Sequence, residues 1–108
     1  MCCSRIRVTD NQWYAAGTYQ KASGLINNRS YWNQIDGDWN MIGGNKALWW
    51  DSKANAWTIG SSSNLGSNIG CIKSVQDSAC PTSNNRFNYS DGVKFNLAPI
   101  NSVSIQCV

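Results

Sequence analysis

Apolar and polar residues alternate along this chain in short stretches. In residues 2–8, CCSRIRV, Ile6 and Val8 take one side and Arg5 and Arg7 the other. In residues 102–108, SVSIQCV, Val103, Ile105 and Cys107 share a side opposite Ser102, Ser104 and Gln106. A period of two marks a half-buried strand, and terminal strands of this kind pair. Residues 13–21, WYAAGTYQK, read as a strand broken at Gly17, and 22–30 as a polar turn region. In 31–35, Tyr31 and Ile35 share one face, while Trp32 shares the other with Gln34 and Asp36. The loop DGDWN and a turn at Gly43-Gly44-Asn45 lead to a strand over 46–51, KALWWD. Adjacent Trp49 and Trp50 must face opposite ways. Leu48 lies on the side of Trp50, which puts Trp50 in the core and Trp49 toward solvent.

A turn over 52–55 follows, and Trp57 with Ile59 continues the core face. Residues 60–70 read as a loop anchored by Leu65 and Ile69. Short strands are expected at 71–75, 87–89 and 93–97, with a turn at Ser90-Asp91-Gly92 and a stop at Pro99. No helical period runs over eleven residues. Many short strands separated by turns predict an all-β fold, a small antiparallel sandwich or barrel of short strands. At 108 residues the chain is read as a single domain, 1–108, with one modest core that cross-links would strengthen.

Charged residues make up only 14% of the chain and the net charge is +3. With no run of Lys or Arg, nucleic acid is not an expected partner. No stretch approaches membrane-spanning length, so membrane insertion is not expected either. Five Cys and no His occur, and none of the Cys forms a CxxC pair. That argues for disulfides and an oxidising, extracellular setting rather than zinc. Parity along the terminal strands favours Cys2–Cys107; Cys3–Cys107 is the alternative and needs a bulge. Cys71 and Cys80 are expected to close a short loop. The odd residue, Cys3 in the first scheme, is then a free thiol or an intermolecular bond. Two sequons, at Asn28 and Asn88, fit secretion and glycosylation.

The absence of His removes Ser-His-Asp and Cys-His catalysis. Six Asp and no Glu remain, and only Asp36 and Asp38 lie close together. No apolar surroundings mark either as a raised general acid, so the chain is read as non-enzymatic, without a cofactor. The run from Asp36 to Asn40 opens like a calcium loop but has Met41 and Ala47 where an EF-hand needs Gly and Glu. No metal site is assigned.

Five of the six Trp fall within residues 31–60. Trp13, Trp50 and Trp57 are assigned to the core. Trp32, Trp39 and Trp49 have polar neighbours, and an exposed ring beside amides and carboxylates suits a sugar. The candidate ligand-binding set is Trp39, Trp49, Trp32, Asp36, Asp38, Asn40, Asn28 and Lys46. Gly17-x-Tyr19, Asn27-x-Arg29-x-Tyr31-Trp32, Leu48-Trp49-Trp50-Asp51, Trp57-x-Ile59-Gly60 and the final Val103-x-Ile105-x-Cys107 occur in that order. This order resembles small Trp-rich extracellular domains of marine invertebrates, across residues 13–107. The resemblance implies a sponge-type lectin for N-acetylhexosamine glycans. A homo-oligomer, disulfide-linked through Cys3 or Cys2, would raise avidity. The main rival is an extracellular protein-interaction or adhesion module using the same rings. A membrane-active defence protein and a single-strand nucleic-acid binder are weaker rivals.

Overall fold

The computed structural model describes residues 2–10, 15–37, 45–75, 78–83, 86–90, 95–97 and 103–108. These residues form nine strands and two short 3-10 turns, with no α-helix among them. In chain order the strands are β1 Arg5–Asp10, β2 Gly17–Ile26, β3 Arg29–Gly37, β4 Lys46–Asp51 and β5 Ala56–Ser61. They continue with β6 Ile72–Ser74, β7 Phe87–Ser90, β8 Phe95–Leu97 and β9 Val103–Cys107. The 3-10 turns are Ser62–Asn64 and Pro81–Ser83. All strand pairs are antiparallel, in the order β8-β7-β6-β5-β4-β3-β2-β1-β9. The sheet curls into a nearly closed barrel, and the turn with buried Pro81 packs against β9. The all-β expectation holds, and of sandwich and barrel the structure takes the barrel.

The terminal strands pair as expected, Val8 opposite Ile105 and Ile6 opposite Cys107. Inside the barrel, Ile6, Val8, Tyr19, Trp32, Leu48, Trp50, Trp57, Ile59, Ile72, Phe87, Val103 and Ile105 form one core. Trp57 meets Trp50 and Trp32 edge to face, at centroid distances of 5.4 and 5.8 Å, the arrangement the ring quadrupoles favour. At one rim the Arg29 guanidinium lies 3.7 Å from the Trp50 ring centre. It closes the core with a cation over a π face.

Residues 22–30 depart from the expected turn region. β2 runs through Ile26, and the reversal is the pair Asn27-Asn28 alone, with φ of 53° and 68°. Both central residues are left-handed, the geometry whose twist matches a two-residue hairpin, and Asn tolerates it better than most residues. The 52–55 turn forms as read, between Asp51 and Ala56. At Gly17, φ is 150°, and a Cβ there would run into the Asp36 carbonyl oxygen.

The disulfides differ from the expectation. Cys2 bonds Cys80 and Cys3 bonds Cys107, with Cα separations of 5.4 and 5.9 Å. β1 begins only at Arg5, so alternation does not extend back to residues 2–3 and parity cannot choose between the two Cys. Cys71 precedes β6 while Cys80 follows it, so the strand carries them apart. Cys71 keeps its thiol, which donates to the Ile59 carbonyl at 3.3 Å. Neither Cys3 nor Cys2 is left for an intermolecular bond.

Candidate functional site

Three of the four described Trp share a role that starts from the indole. A buried indole N–H must find an acceptor. Trp32 Nε1 donates to the Cys3 carbonyl at 3.1 Å, Trp49 Nε1 to Ser67 at 2.9 Å and Trp57 Nε1 to Ser78 at 3.0 Å. Each acceptor lies outside the strands. These rings therefore hold the N-terminal segment, the β5–β6 connection and the β6–β7 connection onto the barrel.

This corrects two of the candidate ligand contacts. Trp32 points inward with Gln34, is 0% exposed, and presents no face to a sugar. Ile35, on the opposite face of β3, is exposed. Trp49 does lie on the outer side of β4, as parity requires, yet it is also 0% exposed. Residues 62–70 fold back down the barrel wall and cover it. Two glycines permit this close return. The Gly60 Cβ position lies 2.8 Å from Gly70 Cα and 3.1 Å from Trp49 Cη2, so any side chain there would lift the loop off the ring. The loop's anchor is Trp49 beneath it, whereas Ile69 is 59% exposed.

The other candidates divide between the two rims. Asp36 is exposed near the end of β3. Lys46, at the start of β4, is 4% exposed, and its backbone N–H donates to Gln34 Oε1 at 3.0 Å. These two flank the β3–β4 connection. Asp38, Trp39 and Asn40 belong to it and lie outside the described residues, as does Trp13. Asn28 is exposed at the opposite rim, eight residues from Asp36 along β3. At about 3.3 Å per residue that is roughly 26 Å, too far for one monosaccharide to span. Asn28 is not part of the same site.

Beside Lys46 a cleft of about 260 Å³ opens at the rim, lined by Ser61, Ser63, Asn64, Ile69 and Cys71 over the two glycines. Ser61 and Ser63 hydroxyls lie 2.9 Å apart. The cleft offers the Ser hydroxyls, the Asn64 amide and an apolar wall at Ile69, and none of its lining residues is a carboxylate. Such a lining suits hydrogen bonding to a polar ligand. Of these residues the sequence marks only Lys46 as a ligand contact, and reads Ile69 as a loop anchor and Cys71 as half of a disulfide. The usable signal for the rest was the Ser-Ser-Ser-Asn run held between Gly60 and Gly70.

The described carboxylate with a shifted pKa is Asp51, 3% exposed, on the outer side of β4. Burial by itself would raise it. The Lys73 ammonium 2.8 Å away, the Ala54 N–H, the charge of Lys73 and the Lys53 N–H outweigh burial and hold the carboxyl below its ordinary value. Among the described residues no group of three or more Cys, Asp or Glu is arranged to hold a metal ion. No described helix is long and apolar enough to cross a membrane. Comparison with models of known protein families, with curated proteins and with solved structures finds no match, so the marine-invertebrate resemblance rests on the sequence motifs alone.

Proposed function

We propose that this chain is a secreted, non-enzymatic carbohydrate-binding protein. The observation that carries the reading is the rim cleft. Its Ser and Asn lining provides both donors and acceptors for sugar hydroxyls. Its volume is that of about nine waters, the scale of one pyranose ring. Lys46 ends the connection that contains Asp38, Trp39 and Asn40, so Trp39 is the ring assigned to stack on the ligand. The preference for N-acetylhexosamine follows from the marine-invertebrate resemblance. Assembly into a homo-oligomer, without a Cys2 or Cys3 link, would multiply a shallow site's avidity. Two disulfides and a low charge fit an oxidising extracellular setting. The rival adhesion module needs an exposed aromatic patch, and the four described Trp are buried.

The test is a glycan array at physiological salt, with and without chelator, on the native protein and on Trp39→Ala and Asn64→Ala. Selective hits that survive chelation and weaken in both variants are expected. An array with no hits would overturn the reading.

A further inference from the structure

The β5–β6 loop that covers Trp49 does not end over the ring. Its tip reaches the far rim, where Gly66 lies over Ile26 and Ser67 over Asn27 and the 52–55 turn. A second cleft of about 200 Å³ lies there, lined by Asn27, Asp51, Ser52, Lys53, Ser67 and Asn68. It shares no lining residue with the rim cleft.

Its walls are fixed before any ligand arrives. Trp49 Nε1 holds the Ser67 carbonyl at 2.9 Å. Ser67 Oγ donates to the Asn64 carbonyl at 2.7 Å and accepts from the Ile69 N–H at 3.1 Å. Asn27 Nδ2 donates to the Trp50 carbonyl at 2.7 Å. A site so braced loses little conformational freedom on binding.

The buried Asp51 carboxylate decides the class of ligand. Oδ1 accepts from the Lys53 and Ala54 N–H groups at 3.0 and 3.3 Å, and Oδ2 accepts from Lys73 Nζ at 2.8 Å. Its charge is already matched by Lys73, so it does not demand a cation. Oδ2 retains a second lone pair, which calls for a neutral donor. The exposed Ser52 hydroxyl and Asn68 amide each both donate and accept. A hydroxyl pair on a sugar ring matches that mixture.

We infer that this cleft is a second binding site, for one neutral pyranose, which makes each chain bivalent. The inference rests on the carbohydrate reading above. Two independent sites on one chain would cross-link glycans without any oligomer, by the same gain in effective concentration that links separate modules.

The experiment is a titration of ¹⁵N-labelled protein with free N-acetylglucosamine and, separately, methyl glucoside, followed by amide chemical shifts. Saturable shifts at Ser52, Lys53 and Asn68 are expected. Asn68→Ala should weaken that group about tenfold while shifts at Ser63 and Asn64 keep their midpoint. Ser52→Ala, on the exposed turn, serves as the second variant. Shifts confined to Ser63, Asn64 and Cys71 would overturn the second site and leave the carbohydrate reading standing. No saturable shift with either sugar would overturn both. Shifts at the second cleft unaffected by either variant would also overturn the assignment.

Discussion

Replacing Trp49 by Ala separates a structural ring from a ligand-stacking one. The indole is fully buried beneath residues 62–70, and its N–H holds the Ser67 carbonyl. A buried aromatic side chain removes about 150–250 Å² from water. At about 25 cal/mol per Å² this is worth roughly 4–6 kcal/mol. The covering loop can collapse into part of the void, and water can reach the freed carbonyl. The expected cost is therefore about 3–5 kcal/mol, the usual range for such truncations. Trp49→Phe keeps most of the apolar area and loses the hydrogen bond, so about 1–2 kcal/mol is expected. Against a total of about 5–15 kcal/mol, the Ala variant would be close to unfolding. Urea titration with the disulfides intact measures both costs, and amide exchange should show the loop opening first in the Phe variant. Suppose instead that Trp49→Ala costs less than about 1 kcal/mol and abolishes glycan binding. The ring would then be an exposed contact, and the loop-anchor reasoning would be wrong.

The remaining expectations can be checked on the same preparation. Thr58 is fully buried and its hydroxyl finds no hydrogen-bond partner among the described residues; Thr58→Val should raise stability by about 1–2 kcal/mol in urea titration. Asp51→Asn should cost about 2–3 kcal/mol at neutral pH, below the usual loss for a broken buried pair because Lys73 keeps some exposure. Because the folded-state pKa of Asp51 is depressed, its contribution is present above the unfolded carboxylate value of about 3.9 and is lost as pH falls through the lower folded value. The gap between wild type and Asp51→Asn should therefore close in acid; a gap independent of pH would remove the ion pair as its cause. Peptide mapping without reduction should find Cys2 joined to Cys80, Cys3 joined to Cys107, and Cys71 open to alkylation after denaturation. The Cys2→Ser/Cys80→Ser double variant should lose about 2–5 kcal/mol.

Much of the barrel could be read from alternation, because a period of two says which side of a strand a residue takes. Trp50, Trp57 and Ile59 lie in the core on that basis, and β1 and β9 pair as their patterns required. Period alone does not say what covers the outer side. That is why alternation alone puts Trp49 toward solvent, whereas the Gly60–Gly70 contact lets a loop lie over it. Nor does parity survive past the end of a strand, which is how Cys2 and Cys3 exchanged their expected roles. Asn27-Asn28 carried its hairpin signal openly, as two residues that tolerate positive φ, within a stretch too polar to read as a strand. The rim cleft was legible only at Lys46, since its other residues come together when the loop doubles back. The second cleft depends on the same fold-back.

The placement of the two disulfides also decides how this chain would meet a protease. Cys2 and Cys3 sit side by side, and their partners lie 78 and 104 residues further on. Any single backbone cut between Cys3 and Cys107 leaves one fragment holding both early Cys and the other holding Cys107, so the fragments stay covalently joined. A nick in an exposed turn such as 52–55 would thus release no mass and need not dismantle the barrel. Cleaved protein would run as one species until a reductant is added, and damage would accumulate silently before it disperses the fold.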